Sequence, residues 1–113
     1  MSSEPEIRSA VERAVKEYGR LDIMFNNAGL VDAVGPIEAV NAEDWDRTIA
    51  VLLRSVFLGI KYAVEPMRRA GGGSIISTSS VASFLPSAYG AAYAGAKGGS
   101  HKFDPGGCAP AWA

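Results

Sequence analysis

The chain has 113 residues, 48% of them hydrophobic, with a net charge of −1 and an isoelectric point near 5.8. That length suits one small domain with a modest core, and the charge gives no basic patch for nucleic acid. With Cys108 as the single cysteine and His101 as the single histidine, an internal disulfide framework and a cysteine- or histidine-rich metal cluster are excluded, so no metal site is expected. The most apolar window, residues 49–64, is interrupted by Arg54 and Lys61 and is not a membrane span. Met1-Ser2-Ser3-Glu4-Pro5-Glu6 lacks the charged-then-apolar order of a signal peptide. A cytoplasmic, reducing compartment is expected.

The first predicted helix starts at Ser3-Glu4-Pro5-Glu6, where Ser3 can cap, Glu6 completes a capping box and proline suits the first turn. Ile7, Val11, Ala14 and Tyr18 then share one face, and Gly19 is a natural stop. A strand follows over Leu21 to Asn26, then the turn Asn26-Asn27-Ala28-Gly29. Val31 to Val40 reads as a loop broken by Gly35-Pro36. Asn41 can cap a long second helix whose apolar positions are Trp45, Ile49, Leu52, Val56, Ile60 and Met67, widened by Leu53, Phe57 and Val64. Arg47, Arg54, Lys61 and Arg68 form a narrow basic stripe on it, and Pro66 is expected to kink or end its last turns. Gly71-Gly72-Gly73 is a turn, Ser74 to Ser79 a second strand, and a third helix is expected from near Ser87 or Ala88. Strand, helix, strand, helix implies parallel strands with a right-handed crossover. Such a sheet needs both faces covered.

The third helix carries Tyr93 and Lys97 four residues apart, which places a phenol and an ammonium on one helix face. A free tyrosine titrates near ~10 and is a poor base at neutral pH. A cation beside a phenol favours the phenolate, so the pair can serve as an acid/base device. Thirteen residues before Tyr93, Ser80 follows an apolar strand and could hold a substrate oxygen beside the phenol. Taken singly, Tyr-x-x-x-Lys is more often a solvated helix face, a serine at a strand end more often satisfies local backbone, and an Asn-Asn-Ala-Gly turn can be purely structural.

Together, the NNAG turn, the serine thirteen before the tyrosine and the YxxxK pair resemble the short-chain dehydrogenase/reductase family in order and spacing, over about residues 2–99. The resemblance implies an α/β fold, part of a Rossmann-like, doubly wound parallel sheet that lacks its first βαβ half. It implies an NAD(P)-dependent oxidoreductase interconverting a secondary alcohol and a ketone by hydride transfer. Tyr93 would be the general acid/base, Ser80 would orient the substrate oxygen, and Lys97 would hold the nicotinamide ribose and tune the phenol. Asn26, Asn27, Ala28 and Gly29, with Tyr93 and Lys97, would line the cofactor cleft, where open α/β sheets bind ligands. The long helix and the YxxxK helix would form a homo-oligomer interface.

The chain departs from the family in three places. The glycine-rich turn that binds the cofactor pyrophosphate is not in it, since Gly71-Gly72-Gly73 follows a helix rather than a strand. The NAD-versus-NADP choice is therefore not legible. Residues 100–113 show no helical period, and a frameshift or early stop in a longer gene is expected there. Leu52 stands where the family has an asparagine in a proton relay. A second reading follows from these departures: a non-catalytic fragment that self-associates or pairs with a full-length relative.

Overall fold

The computed structural model describes residues 3–85 and 89–103. Helix α1, Glu4–Tyr18, has Pro5 in its first turn and ends at Gly19, whose left-handed φ of 81° lets its N–H bond Val15 O at 2.8 Å. The capping expected of Ser3 is not made: its side chain gives no cap hydrogen bond. Glu4 and Glu6 instead place negative charge in the first turn, against the positive end of the helix dipole. Ile7 and Val11 are buried as the periodicity predicts, but Tyr18 is 79% exposed. The chain reverses at Gly19, and Leu21 with Val15 fills the core in its place.

Strands β1, Ile23–Asn26, and β2, Ser74–Ser77, pair in parallel from Ile23↔Ser74 to Asn26↔Ser77. Both are shorter than the apolar runs suggested. Ser74 N–H to Asp22 O and Thr78 N–H to Asn26 O add one bond at each end of the ladder. Met24 and Ile75 face a core built with Val11, Leu21, Ala63 and Met67. The other face presents Ile23, Phe25 and Ile76, which are 63%, 59% and 49% exposed. Among the described residues the sheet is therefore covered on one side only.

The long helix is three segments: α2, Ala42–Ile49, a π-helical turn, Ala50–Arg54, and α3, Ser55–Arg69. Asn41 caps α2 as predicted, its Oδ1 accepting from Asp44 N at 2.8 Å. Leu52, Val56 and Met67 are buried, whereas Phe57 is about half exposed. The buried face is completed by Ser55, Gly59 and Ala63, spaced four apart, which hydrophobic periodicity overlooks. Pro66 does not end the helix. Its ring replaces one backbone donor, yet Ala70 N–H still bonds Pro66 O at 3.0 Å and α3 runs on to Arg69. The loop before α2 contains a short 3-10 turn, Ile37–Ala39. The basic stripe is neutralised locally: Arg47 pairs with Asp32 and Asp44, Arg54 and Lys61 with Glu4, and Arg68 with Glu65.

Helix α4, Ala91–Lys102, carries Tyr93 and Lys97. The expected start at Ser87 or Ala88 lies outside the described residues. The break expected from Ser100 is corrected: the helix continues to Lys102, with Ser100 buried and its hydroxyl donating to Lys97 O at 3.0 Å. Among the described residues no helix is long and apolar enough to cross a membrane.

Glu4 ties α1 to α3, its Oε1 accepting from Lys61 Nζ at 2.8 Å and from Tyr62 Oη at 2.5 Å. The Lys61 and then the Tyr62 hydrogen bonds hold its carboxyl below the usual glutamate range. A depressed folded-state pKa stabilises above the unfolded value, and the contribution is lost as pH falls through the folded one. Melting temperature should therefore fall on acidification below about pH 4.5. Glu4→Gln should flatten that part of the profile in thermal melts between about pH 3 and pH 7.

Candidate active site

Parallel pairing brings the C-terminal ends of β1 and β2 side by side, so the Asn26–Gly29 turn and the Thr78–Ser80 segment leave the sheet together. Asn26 Nδ2 donates to Ser77 Oγ at 3.3 Å across the pair. The Thr78 hydroxyl donates to Asn27 Oδ1 at 2.7 Å, one residue further on. The turn is thus fastened to the second strand by side chains as well as by the ladder.

Helix α3 packs against β1 closely enough that a side chain at residue 59 would force a neighbour to shift. A Cβ there would lie 2.2 Å from Asn26 Oδ1 and 2.8 Å from Met24 Cε. The helix that carries YxxxK begins beyond Gly90, whose φ is 91° and whose added Cβ would lie 2.6 Å from Ala33 O. That glycine lets the segment before α4 approach the loop following the NNAG turn.

Lys97 is 4% exposed, and its Nζ donates to Thr78 O at 2.9 Å. A lysine ammonium carries three donors, so this bond orients Lys97 and leaves capacity for further acceptors. Ser80 Oγ accepts from Ala82 N at 3.2 Å and caps the 3-10 turn Val81–Ser83. The local backbone use anticipated for a strand-end serine is therefore made. Because the hydroxyl acts as acceptor there, its O–H remains able to donate elsewhere. Ser79, the neighbour most easily confused with it, is engaged with Ser83, Oγ to Oγ 3.1 Å.

Tyr93 is half buried, and its ring is tilted against Tyr89 with centroids 5.6 Å apart. Among the described residues no hydrogen bond joins Tyr93 to Ser80 or Lys97. Catalytic hydrogen bonds are commonly long in ligand-free proteins and tighten with substrate. Leu52 is buried within the π-helical turn, a segment that packs against α4. Single π turns inside α-helices recur at functional sites. One turn earlier, Thr48 Oγ1 is buried without a hydrogen-bond partner among the described residues.

Two features of this region were not signalled by pattern. Thr78 has no motif to mark it, since its role comes from standing one residue beyond a strand pairing of distant segments. The glycine at 59 could have been suspected from the small residues at 55, 59 and 63, a spacing that permits close backbone approach.

Residues 1–106 match the family model described as short chain dehydrogenase. Among curated proteins, the chain is 43% identical over 102 residues to tropinone reductase-like 2 of Erythroxylum coca, covering 88% of this chain and 37% of that protein. It is 41% identical over 85 residues to cyclohexanol dehydrogenase of Acinetobacter sp. (strain SE19), covering 74% of this chain and 34% of the relative. Among solved structures, levodione reductase superposes with a TM-score of 0.83 at 33% identity, covering 88% of this chain and 38% of that one. An NAD+-bound xylitol dehydrogenase gives 0.81 at 28% identity, over 87% and 38%. The chain thus spans less than half the length of these relatives, with a parallel strand pair and flanking helices as expected for part of a Rossmann-like sheet. On the match over residues 1–106 and these identities, the chain belongs to the short-chain dehydrogenase family.

Proposed function

We propose that this chain supplies the catalytic portion of an NAD(P)-dependent oxidoreductase acting on a secondary alcohol or ketone. The observation that carries this reading is the bond from buried Lys97 to Thr78 O, which ties the YxxxK helix to the strand end leading into Ser80. Relatives named for cyclohexanol, cyclopentanol and levodione make a ring alcohol or ring ketone the first substrate class to try.

The residues present fit the nicotinamide-ribose end of such a cofactor. The turn offers neutral amides at Asn26 and Asn27. A Cβ at Gly29 would meet nothing within 4 Å, so that position is open. Lys97 has donors left for ribose hydroxyls. When bound, the nicotinamide would supply the hydride-transfer chemistry, with Lys97 and the Asn26–Gly29 turn holding its ribose end. Ser80 donates its O–H to the substrate oxygen and orients it. The deprotonated Tyr93 oxygen takes the alcohol proton during oxidation, and the Tyr93 phenol gives it back during reduction. Lys97 stabilises negative charge at the Tyr93 oxygen and holds the ribose in place.

A second reading is favoured by the bare apolar sheet face and by half-exposed Phe57 on α3. In that reading the chain works in a self-association or beside a longer relative, through the long helix and α4. Fluorescence titration with NADH and NADPH, with light scattering on the same samples, tests both. Saturable binding at micromolar levels supports the oxidoreductase reading. A folded chain that binds neither nucleotide leaves the second reading, and a well-defined monomer would remove that one.

A further inference from the structure

We infer that Thr78 is a positioning residue that couples the Asn26–Asn27 turn to Lys97. The inference rests on reading this region as a nucleotide cleft. Thr78 is the described residue bonded to all three. Its N–H donates to Asn26 O at 3.0 Å, its hydroxyl donates to Asn27 Oδ1 at 2.7 Å, and its carbonyl accepts from Lys97 Nζ at 2.9 Å. Each bond constrains a different atom of one residue. The N–H bond prolongs the β1–β2 ladder, the hydroxyl bond fixes the plane of the Asn27 amide, and the carbonyl bond aims the Lys97 ammonium.

The chemical consequence lies at Asn27. A primary amide has an acceptor edge and a donor edge. With Oδ1 held by the Thr78 hydroxyl, Nδ2 is the edge turned to a ligand, so Asn27 meets an acceptor such as a ribose hydroxyl oxygen or a carboxamide oxygen. Lys97 is likewise a donor only. Thr78 therefore turns the donor edge of Asn27 outward and aims the Lys97 ammonium at the same strand end, and a shift of its peptide moves them together.

The test compares wild type, Thr78→Val and Thr78→Ser by heteronuclear NMR, following the Asn27 side-chain amide and the Lys97 side-chain methylene beside the ammonium. Valine removes only the hydroxyl and keeps the backbone groups and the β-branched shape that suits a strand, so a change at Lys97 must come through a shift of the residue-78 peptide; serine keeps the hydroxyl. In Thr78→Val the Asn27 amide signals should move toward free-amide positions and the Lys97 signals should move with them. Thr78→Ser should retain both. A change at Asn27 with none at Lys97 would overturn the coupling.

Titration of NADH into the same samples separates this inference from the nucleotide reading. Thr78→Val should bind about 3-fold to 10-fold more weakly, the worth of one hydrogen bond. The Thr78→Val/Asn27→Ala double variant should be no weaker than Asn27→Ala alone, because the valine acts through the same amide. Additive losses would overturn the coupling. A wild type with the NMR pattern but no nucleotide binding would remove the nucleotide reading and leave the positioning of the two side chains in place.

Discussion

Tyr93→Phe should lower turnover of a secondary alcohol by about 100-fold to 10,000-fold, the span that a positioned acid/base contributes. It should leave nucleotide affinity and melting temperature almost unchanged. The Tyr93 hydroxyl makes no hydrogen bond among the described residues, so its removal costs no internal partner. The ring, half buried and packed on Tyr89, is kept by phenylalanine. A stability change within about 0.5 kcal/mol is expected for a substitution of that kind. Steady-state rates with cyclohexanol and NAD+ or NADP+, beside thermal melts, give both quantities. Equal rates in the two proteins would end the assignment of Tyr93 as acid/base. A collapsed melt would show that the hydroxyl is structural instead.

Gly59→Ala should destabilise the chain by about 1 kcal/mol, the clash falling on the ends of the Asn26 and Met24 side chains and being partly offset by the helix propensity of alanine. For a chain of this size that lowers the melting temperature by about 4–8 °C per kcal/mol. The added methyl would sit 2.2 Å from Asn26 Oδ1 and 2.8 Å from Met24 Cε, so either α3 lifts from β1 or the Asn26 side chain gives way. The second route would break the Asn26–Ser77 hydrogen bond and loosen the NNAG turn. Gly95→Ala is the control. It lies in the middle of α4 with nothing within 4 Å of its added Cβ, and should raise stability by about 0.4–1 kcal/mol through helix propensity and a less flexible unfolded chain. Equal effects at the two positions would show that helix propensity, not close packing, governs residue 59.

Much of the candidate site was legible because its marks are local. Asn26 to Gly29 follows an apolar run, Tyr93 and Lys97 sit one helical turn apart, and Asn41 with Asp44 announces a cap by spacing alone. What escaped depends on segments distant in the chain. Thr78 acquires its role from Asn27, 51 residues away, and from Lys97, 19 residues away. The π turn around Leu52 leaves no compositional trace, since Ala50 to Arg54 is an ordinary helical stretch by propensity. Tyr18 obeyed the apolar period yet lies outside, because a reversal at Gly19 hands its place in the core to Leu21. Periodicity tells which face a side chain shares, not where the neighbouring element ends.

The parallel register carries a kinetic consequence. Asn27 and Thr78 meet across 51 residues, so the cleft end of the sheet closes a long loop with few ladder bonds to offset the entropy. Helical turns form first on local contacts, and non-local strand pairing is slow by comparison. Asn27, Thr78 and Lys97 are thus among the last to find one another. Anything that delays the seating of α3 on β1 lengthens the time the chain spends with its helices made and its candidate site unassembled.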